Sequence, residues 1–278
     1  MSTTPLSPRS PQSAVLSPVE VLGVRVDRLT AAAALARLTA FIESGLPHQV
    51  VTVNPEFIIQ AQEHPAFREV LRRADLALAD GVGLVWAGWL LGAPLPARLP
   101  GVDLVETLAA LAAERGYRVF LLGAREGIAA RAAQVLRGRF PALQVVGVHS
   151  GSPAPAEEDE IVERIRAARP HLLFVAYGAP QQDLWIARHL ARLEVPVAMG
   201  VGGAFNYIAG GARRAPRWMR RLGLEWLHRL VREPWRWRRM LRLPRFAALV
   251  LREAARSRLV PVPPQDRARD RNGEECRR

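Results

Sequence analysis

Several polar side chains stand where apolar stretches of the sequence end. Asp80 follows the apolar run 76–79 and precedes a glycine turn. The same placement recurs after three other apolar runs, at Thr52 and Asn54 in VTVNPEF, at Gln181, Gln182 and Asp183 in AYGAPQQD, and at Asn206 in GVGGAFNY. In sheets of parallel strands, the carboxyl ends, the loops and the helix N-termini converge at one edge, and ligands bind there. These residues therefore predict a polar ligand site at one edge of a sheet.

Each of these residues also has a structural interpretation. A carboxylate at position 80 is well placed to cap the helix that follows it. Thr52 and Asn54 are ordinary turn or cap residues, because their short polar side chains bond readily to nearby backbone groups. Gln182 has the same alternative. From the residues alone, both interpretations stay open at every one of these positions.

The composition excludes several kinds of chemistry. The chain contains no lysine, which excludes a Schiff base and a Walker-type phosphate-binding lysine. Its one cysteine, Cys276, lies in a polar tail, so we expect neither a disulfide nor a cysteine metal site, and we expect the cytoplasm as compartment. The fingerprint GxGxxG, a DxD motif and convincing metal-ligand spacings are missing, so we predict no nicotinamide cofactor and no metal. The glycines at 200, 202 and 203 leave two alternatives, close approach of the backbone to a diphosphate or tight packing.

Short apolar runs alternate with amphipathic stretches from residue 19 to about 209, which is typical of a mostly parallel sheet flanked by helices. Strands are predicted at 21–26, 49–53, 76–79, 118–122, 144–148, 172–177 and 195–201. Helices are predicted at 30–44, 55–74, 102–115, 126–139, 157–168 and 180–193. A chain of 278 residues, 49% of them hydrophobic, is long enough to bury a sizeable core. We therefore predict one Rossmann-like α/β domain.

Four segments of the chain differ in composition. Residues 1–18 are rich in serine and proline and lack the apolar core of a signal peptide, so we expect a disordered leader. The predicted α/β core occupies 19–212, a basic helical appendage follows at 213–258, and a polar tail at 259–278 is expected to be disordered. Glycine and proline interrupt every long uncharged run, so no membrane-spanning helix is predicted.

Nearly all of the excess positive charge lies in the basic appendage, residues 213–258. It holds fifteen arginines against three glutamates, in a chain whose formal net charge is +13. One helical face is predicted to carry Arg229, Arg232, Arg236 and Arg239. Another is predicted to carry Trp218, Leu222, Trp226 and Leu230. Arginine opposite tryptophan and leucine suits the headgroup layer of an anionic membrane. A solvated basic helix packed on the core stays open, and nucleic-acid binding ranks lower because no helix-turn-helix, RRM or zinc pattern is present.

Several motifs occur in a characteristic order: TVNPEF, ADGVGLVWA, RLPGVDL, FVAYGAPQQDLWI, GVGGAFNYIAG and RAPRWMRRLGLEWLHRLVREPWRWRR. Together they resemble the WecG/TagA/CpsF glycosyltransferase family over roughly residues 19–245. The chain departs from the family pattern at two positions, with Asp183 where glutamate is usual and Asn206 where aspartate is usual. The second change removes a carboxylate, so the resemblance implies no acid role at position 206.

The resemblance implies an inverting glycosyltransferase at the inner face of the cell membrane, peripheral and independent of metal. The expected donor is UDP-N-acetylmannosamine, and the expected acceptor is undecaprenyl-diphosphate-linked N-acetylglucosamine. Asp80 matches the family's proposed catalytic base, and Thr52 and Asn54 match substrate-contacting positions beside it. Arg98, in RLPGVDL, matches an active-site arginine that resembles a diphosphate clamp, and Gln182 matches a glutamine expected to contact the nucleotide or the donor sugar.

The resemblance also implies a role for the basic appendage in the active site. The arginines at family positions that reach the site when the appendage closes are Arg229, Arg236 and Arg239. The predicted membrane-contacting tryptophans are Trp218 and Trp226. The expected substrate-binding set is completed by Gly202, Gly203 and Asn206. Three alternatives stay open: an ion pair between Arg98 and Asp103 in place of the clamp, a homo-oligomer, and a non-catalytic nucleotide-binding adaptor for membrane or nucleic acid.

Overall fold

The computed structural model describes residues 16–212, 214–216, 218–219, 223–232, 234 and 237–259, so most of the predicted leader and tail lies outside the described residues. The strands are β1 Val19–Val21, β2 Val24–Val26, β3 His48–Val53, β4 Leu76–Ala79, β5 Arg118–Gly123, β6 Gln144–His149, β7 Leu172–Ala176 and β8 Val197–Gly200. The helices are α1 Ala31–Ser44, α2 Pro55–Glu63, α3 Pro65–Arg73, α4 Val82–Leu90, α5 Gly101–Arg115, α6 Ile128–Arg139, α7 Pro155–Ala168, α8 Gln181–Leu193, α9 Ala204–Ile208, α10 Glu225–Arg232, α11 Trp237–Met240 and α12 Arg242–Leu259.

Six strands form one parallel sheet in the order β4, β3, β8, β7, β5, β6. Strands in the middle of such a sheet are buried on both faces, which explains why β7, with the sequence LLFVA, is apolar throughout. The predicted fold class, a Rossmann-like α/β fold with helices around a mostly parallel sheet, is confirmed.

Helices cover both faces of the sheet. One face, to which Val50 and Leu78 contribute, packs against α1, α5, α6 and α9. The opposite face, to which Val51 and Ala77 contribute, packs against α2, α3 and α4, with α7 and α8 further along the sheet. The helices that follow the neighbouring strands β3 and β8 are α2 and α9, and they leave the sheet on opposite faces. The carboxyl ends of neighbouring strands whose helices diverge in this way are the position where α/β sheets bind ligands.

Two predicted elements are wrong because a turn divides each of them. The run 21–26 is an antiparallel hairpin of β1 and β2, turned by Leu22 (φ 50°) and Gly23 (φ 78°). Consecutive residues with positive φ match the twist of a tight hairpin, so the chain reverses there. The run 55–74 is two helices, because Pro65 lacks an amide hydrogen and holds the backbone of His64 away from helical angles.

The last helix of the basic appendage packs on the core. In α12, Phe246 and Val250 are buried in the same hydrophobic cluster as the inner sides of α2 and α4. Arg242 at the start of α12 lies 3.3 Å from the carboxylate of Glu56 on α2. The described residues of the appendage include the helices α10, α11 and α12, and α12 contributes side chains to the buried core. Among the described residues, no helix is both long and apolar enough to cross a membrane.

Candidate active site

Asp80 stands directly at the carboxyl end of β4, beside the end of β3. The register pairs Val53 with Ala79, and the amide of Asp80 donates a hydrogen bond to the carbonyl of Val53 (2.6 Å). Helix α4 begins at Val82 with Gly81 in the N-cap position. The N-cap position is thus held by Gly81, and Asp80 lies at the sheet edge one residue before it.

Asn54 occupies the matching position after β3, and its side chain caps α2. Its Oδ1 accepts a hydrogen bond from the amide of Phe57 (3.0 Å), which satisfies one of the free amides of the first turn. The loop after β4 lies next to Asn54: a Cβ atom added to Gly81 in that loop would be 3.9 Å from the Cβ of Asn54. The cap interpretation of Asn54 is thus confirmed, while its predicted contact with substrate stays a prediction.

Thr52, almost fully buried in β3, faces the start of α5. A Cβ atom added to Gly101, the first residue of α5, would lie 3.5 Å from the Oγ1 of Thr52. The amide of Leu99 donates to the carbonyl of Ala79 (2.7 Å), which holds the entry to α5 against the end of β4. No side chain at Pro100 caps this fifteen-residue helix. The start of α5 therefore brings a positive dipole end, and first-turn amides that Pro100 does not cap, to the sheet edge, an arrangement that attracts anions.

Arg98 joins this edge of the core to the basic appendage. Its Nη1 lies 3.2 Å from the Oε2 of Glu225 in α10, and both side chains are about three-quarters buried. Asp103, the alternative partner, instead pairs with Arg214 at 2.5 Å. The alternative of an ion pair between Arg98 and Asp103 is therefore wrong. Both observed pairs connect the core with the appendage. Arg98 lies near Asp80, because the amide of its neighbour Leu99 is bonded to the carbonyl of Ala79, the residue before Asp80.

Gln182 holds the ends of two strands together. Its Oε1 accepts hydrogen bonds from the amides of Gly178 (3.1 Å) and Gly202 (2.9 Å), which follow β7 and β8. The residue is 1% exposed. Gly202 has a φ of +50°, a conformation that most side chains avoid, and the bond from Gln182 fixes that turn. In this arrangement Gln182 positions the Gly202 loop, and its predicted contact with the nucleotide or the sugar stays a prediction.

Asp183 is a fully buried carboxyl group behind this loop. A Cβ atom added to Gly200 would lie 2.6 Å from its Oδ1 and 2.5 Å from the Nε2 of Gln182, so only glycine fits at position 200. Burial raises the pKa of Asp183 from 3.8 to about 7, since a charged carboxylate is poorly solvated there. The backbone carbonyl of Asp183 accepts a hydrogen bond from the side chain of Gln49 (2.9 Å). The end of β8 is thus supported by a carboxyl group that is largely neutral below pH 7.

We expect Asp183→Asn to reduce the pH dependence of stability. The folded state binds this proton more tightly than the unfolded state, because the pKa is about 7 in the fold against an ordinary 3.8. The stabilisation is therefore complete below about pH 4 and is lost as the pH rises to 7, by up to about 1.4 kcal/mol per pH unit. Urea unfolding at several pH values should show a flatter fall of the unfolding free energy in the variant.

The control for this measurement is Asp159→Asn. Asp159 is exposed and pairs with Arg192 on the surface, so its neutral variant should keep the wild-type slope of unfolding free energy against pH. An Asp183→Asn variant with that same wild-type slope would contradict a neutral, buried carboxyl group at position 183.

Gly203 and Asn206 lie just beyond the Gly202 turn. Gly203 is the N-cap residue of α9, and the half-buried Asn206 is within that short helix. The carbonyl of Asn206 accepts a hydrogen bond from the amide of Ala212 (3.1 Å), which folds the following segment back on α9. These two residues therefore lie at the same edge of the sheet as Asp80, as the sequence predicts.

The appendage residues predicted for the site are only partly described. Trp218 and Trp226 are exposed, at 59% and 40%. Arg229 and Arg239 belong to α10 and α11, but their side chains lie outside the part of the chain that the structure describes, as does the whole of Arg236. Their predicted role in the active site stays a prediction.

Some residues that shape the site escaped the sequence interpretation. Glu225 is the partner of Arg98, and the available signal is that it is one of only three acids among fifteen arginines in the appendage. Gly101 allows α5 to approach Thr52, and its signal is the glycine after proline in RLPGVDL. Gly200, by contrast, is among the glycines noted in the sequence, and its close contact with Gln182 and Asp183 agrees with the tight-packing alternative.

The arrangement as a whole offers a carboxylate, a helix N-terminus and a guanidinium at one sheet edge. Asp80 follows β4, Thr52 ends β3 beside α5, and Arg98 precedes α5. A carboxylate can take a proton from a hydroxyl group, while a guanidinium and free amides stabilise the negative charge of a phosphate. Within the described residues, no group of three or more His, Cys, Asp or Glu side chains is placed to hold a metal ion. Such a combination has the chemical groups to bind an anion and to accept a proton from a hydroxyl group.

Residues 19–259 match the glycosyl transferase WecG/TagA/CpsF family. This match covers most of the chain, including the whole parallel sheet, the loops with Asp80 and Arg98, and the basic appendage. The chain therefore belongs to the WecG/TagA/CpsF family of glycosyltransferases.

Individual relatives agree with this assignment. A protein of Bacillus spizizenii is 35% identical over 214 residues, which is 77% of this chain and 82% of the relative. A protein of Bacillus subtilis (strain 168) is 32% identical over 227 residues, which is 81% of this chain and 88% of the relative. A protein of Staphylococcus aureus (strain MW2) is 34% identical over 227 residues, which is 81% of this chain and 87% of the relative. All three are named N-acetylglucosaminyldiphosphoundecaprenol N-acetyl-beta-D-mannosaminyltransferase.

Proposed function

We propose that this chain transfers N-acetylmannosamine from UDP to undecaprenyl-diphosphate-linked N-acetylglucosamine, with inversion at the anomeric carbon, in the synthesis of a cell-surface polymer. The observation that carries the proposal is the placement of Asp80 beside Thr52 at the sheet edge, with Arg98 and the start of α5 next to them. The names of the relatives supply the sugar and the lipid-linked acceptor.

Inversion needs a single displacement. The acceptor hydroxyl attacks the anomeric carbon from the face opposite the UDP, and the bond from that carbon to the diphosphate oxygen breaks as the new bond forms. Asp80 takes the hydroxyl proton, and UDP leaves with the electron pair of the broken bond. The role of Asp80 rests on its position at the carboxyl end of β4, beside the end of β3. Thr52 and Asn54 lie next to it and orient the substrates.

The departing diphosphate needs positive charge around it. Arg98 offers forked cationic donors, and the first turn of α5, which Pro100 does not cap, adds backbone amides. Gln182 contributes indirectly, because it fixes the Gly202 loop at the end of β8. These donors supply the electrostatic stabilisation that a bound cation supplies in other transferases, so the proposal includes no metal.

The lipid-linked acceptor places the reaction at a membrane surface. We assign the protein to the inner face of the cell membrane, held there peripherally by its basic appendage. Arginines attract anionic headgroups by about 1 kcal/mol each near the surface, and the exposed Trp218 and Trp226 suit the headgroup layer. The ion pairs Arg98–Glu225 and Arg214–Asp103 support a position of the appendage next to the active site.

A panel of nucleotide sugars tests the proposed function. The full chain is incubated with a short-chain polyprenyl-diphosphate-linked N-acetylglucosamine and one of several UDP-sugars, and the release of UDP is measured. We expect release with UDP-N-acetylmannosamine and its dependence on the acceptor. Turnover with another UDP-sugar would change the assigned donor. Binding of UDP without release from any donor would favour the nucleotide-binding adaptor instead.

A further inference from the structure

Helix α4 exposes two tryptophans on its outer side. Trp86 is 69% exposed and Trp89 is 73% exposed, which makes them the most exposed tryptophans among the described residues. The inner side of the same helix, with Leu84 and Ala87, is buried in the core. Large aromatic side chains seldom remain in water in pairs without a partner, so this outer side of α4 indicates an interaction surface.

This surface continues from the basic appendage. Val82, Trp86 and Trp89 lie on one stripe of α4, because residues four and seven apart share a helix face. The appendage touches the first residue of this stripe at Gly223, where a Cβ atom would lie 2.7 Å from the Val82 methyl carbons. The appendage thus crosses the start of the stripe and leaves the two tryptophans uncovered immediately beyond it.

The charges around the stripe favour a lipid surface as its partner. Helix α4, VGLVWAGWL, carries no charged side chain, whereas the adjoining appendage carries fifteen arginines against three glutamates. Uncharged tryptophans beside a dense cationic surface match the headgroup layer, where indole rings insert at the boundary and arginines bind phosphate. A second copy of this chain fits less well, because each copy has a formal net charge of +13 and the two appendages would repel.

We propose that Trp86 and Trp89 of α4 form, together with the basic appendage, one continuous surface that binds anionic membranes. This inference rests on the proposed function only in the choice of partner. It adds that the core itself, and not the appendage alone, contacts the bilayer.

The position of α4 gives this contact a consequence for catalysis. Only Gly81 separates Asp80 from the first residue of α4, and Trp86 follows one helical turn later. At 1.5 Å per residue, the backbone of Trp86 lies about 6 Å beyond that of Val82 along the helix axis. Indole rings at headgroup depth therefore hold the carboxylate close to the layer that contains the diphosphate of a lipid-linked acceptor.

Vesicle co-sedimentation of the full chain tests the proposal. The probes are vesicles of phosphatidylcholine with phosphatidylglycerol, compared with phosphatidylcholine alone, at low and high salt. We expect the double variant Trp86→Ala, Trp89→Ala to lower the partition coefficient on anionic vesicles by at least about tenfold, since burial of about 55 Å² of apolar surface already corresponds to a factor of ten. The same fold-loss should persist at high salt, where screening weakens only the arginine contribution.

Leu46→Ala is the matched control. Leu46 is 64% exposed but precedes β3, at the opposite edge of the sheet, so its variant should bind vesicles like the wild type. Wild-type vesicle binding by the double tryptophan variant would overturn the proposal, and a changed oligomeric state with unchanged vesicle binding would assign the stripe to a second copy. The assay involves no sugar transfer, so loss of binding in a protein without transferase activity would sustain this surface and count only against the proposed function.

Discussion

Asp80→Asn is expected to lower kcat by about two to four orders of magnitude while UDP binding stays near the wild-type level. Asparagine keeps the size of the side chain but cannot accept the proton of the attacking hydroxyl, and loss of a general base typically costs this much. The backbone bond from Asp80 to Val53 does not depend on the side chain, and asparagine has nearly the same size, so the end of β4 should survive the change. Single-turnover transfer and calorimetric UDP binding measure the two quantities separately.

Asp75→Asn provides the control for this variant. Asp75 immediately precedes the same strand, β4, at the opposite edge of the sheet, and its side chain accepts a hydrogen bond from the amide of Gln49 (2.8 Å). An asparagine oxygen can accept the same bond, so this variant should transfer sugar at close to the wild-type rate. Wild-type turnover in Asp80→Asn would mean that another group takes the proton. If both proteins bound UDP equally and neither transferred sugar, the adaptor interpretation would replace the enzyme.

Arg98→Lys is expected to lower kcat by roughly ten- to a hundredfold although the positive charge remains. A guanidinium holds a diphosphate with parallel donors in a fixed plane, whereas an ammonium is a point charge on a flexible stem. Because charge builds on the diphosphate as UDP departs, the loss should fall mainly on kcat and less on KM for the donor. Steady-state kinetics over a range of donor concentrations separates the two parameters.

Glu225→Gln separates the clamp from the ion pair. This variant keeps the guanidinium of Arg98 but removes the charge of its partner at 3.2 Å. If Arg98 acts on the diphosphate, the glutamine variant should keep most of the activity that the lysine variant loses. Equal losses in both variants, or unchanged kinetics in Arg98→Lys, would reduce Arg98 to a structural link between the core and the appendage.

Most strands and helices of the core are predictable because their patterns are local. The predicted strands 118–122 and 172–177 agree with β5 and β7 to within one residue, since each is a continuous apolar run bounded by turns. The edge at which the site residues meet is predictable for a similar reason: in a parallel sheet, every carboxyl end lies on the same side. Asp80, Thr52 and Asn206 therefore meet the expectation drawn from their place after apolar runs.

Helix α4 shows where the local pattern fails. Its nine residues are apolar apart from two glycines, so they have no polar face and no helical period to detect. A surface helix normally reveals itself by charges on its outer side, but here that side carries Trp86 and Trp89. The absence of charged side chains from α4 made this helix unpredictable from the sequence. The same absence supports our proposal that a lipid surface is its partner.

The sequence by itself determined the class of fold, the edge that carries the polar residues and the excess of arginine near the C-terminus. Only the tertiary structure decided how those residues are used. It assigned Gln182 to two backbone amides, buried Asp183 completely and paired Arg98 with Glu225 instead of Asp103. The physical reason is the separation of the contacting residues along the chain. The spacing of polar and apolar residues indicates which residues share a face of one helix or one strand, and it does not indicate which distant residues come into contact. An ion pair between residues 127 positions apart depends on how α10 and the sheet edge come together in space, which no local pattern specifies.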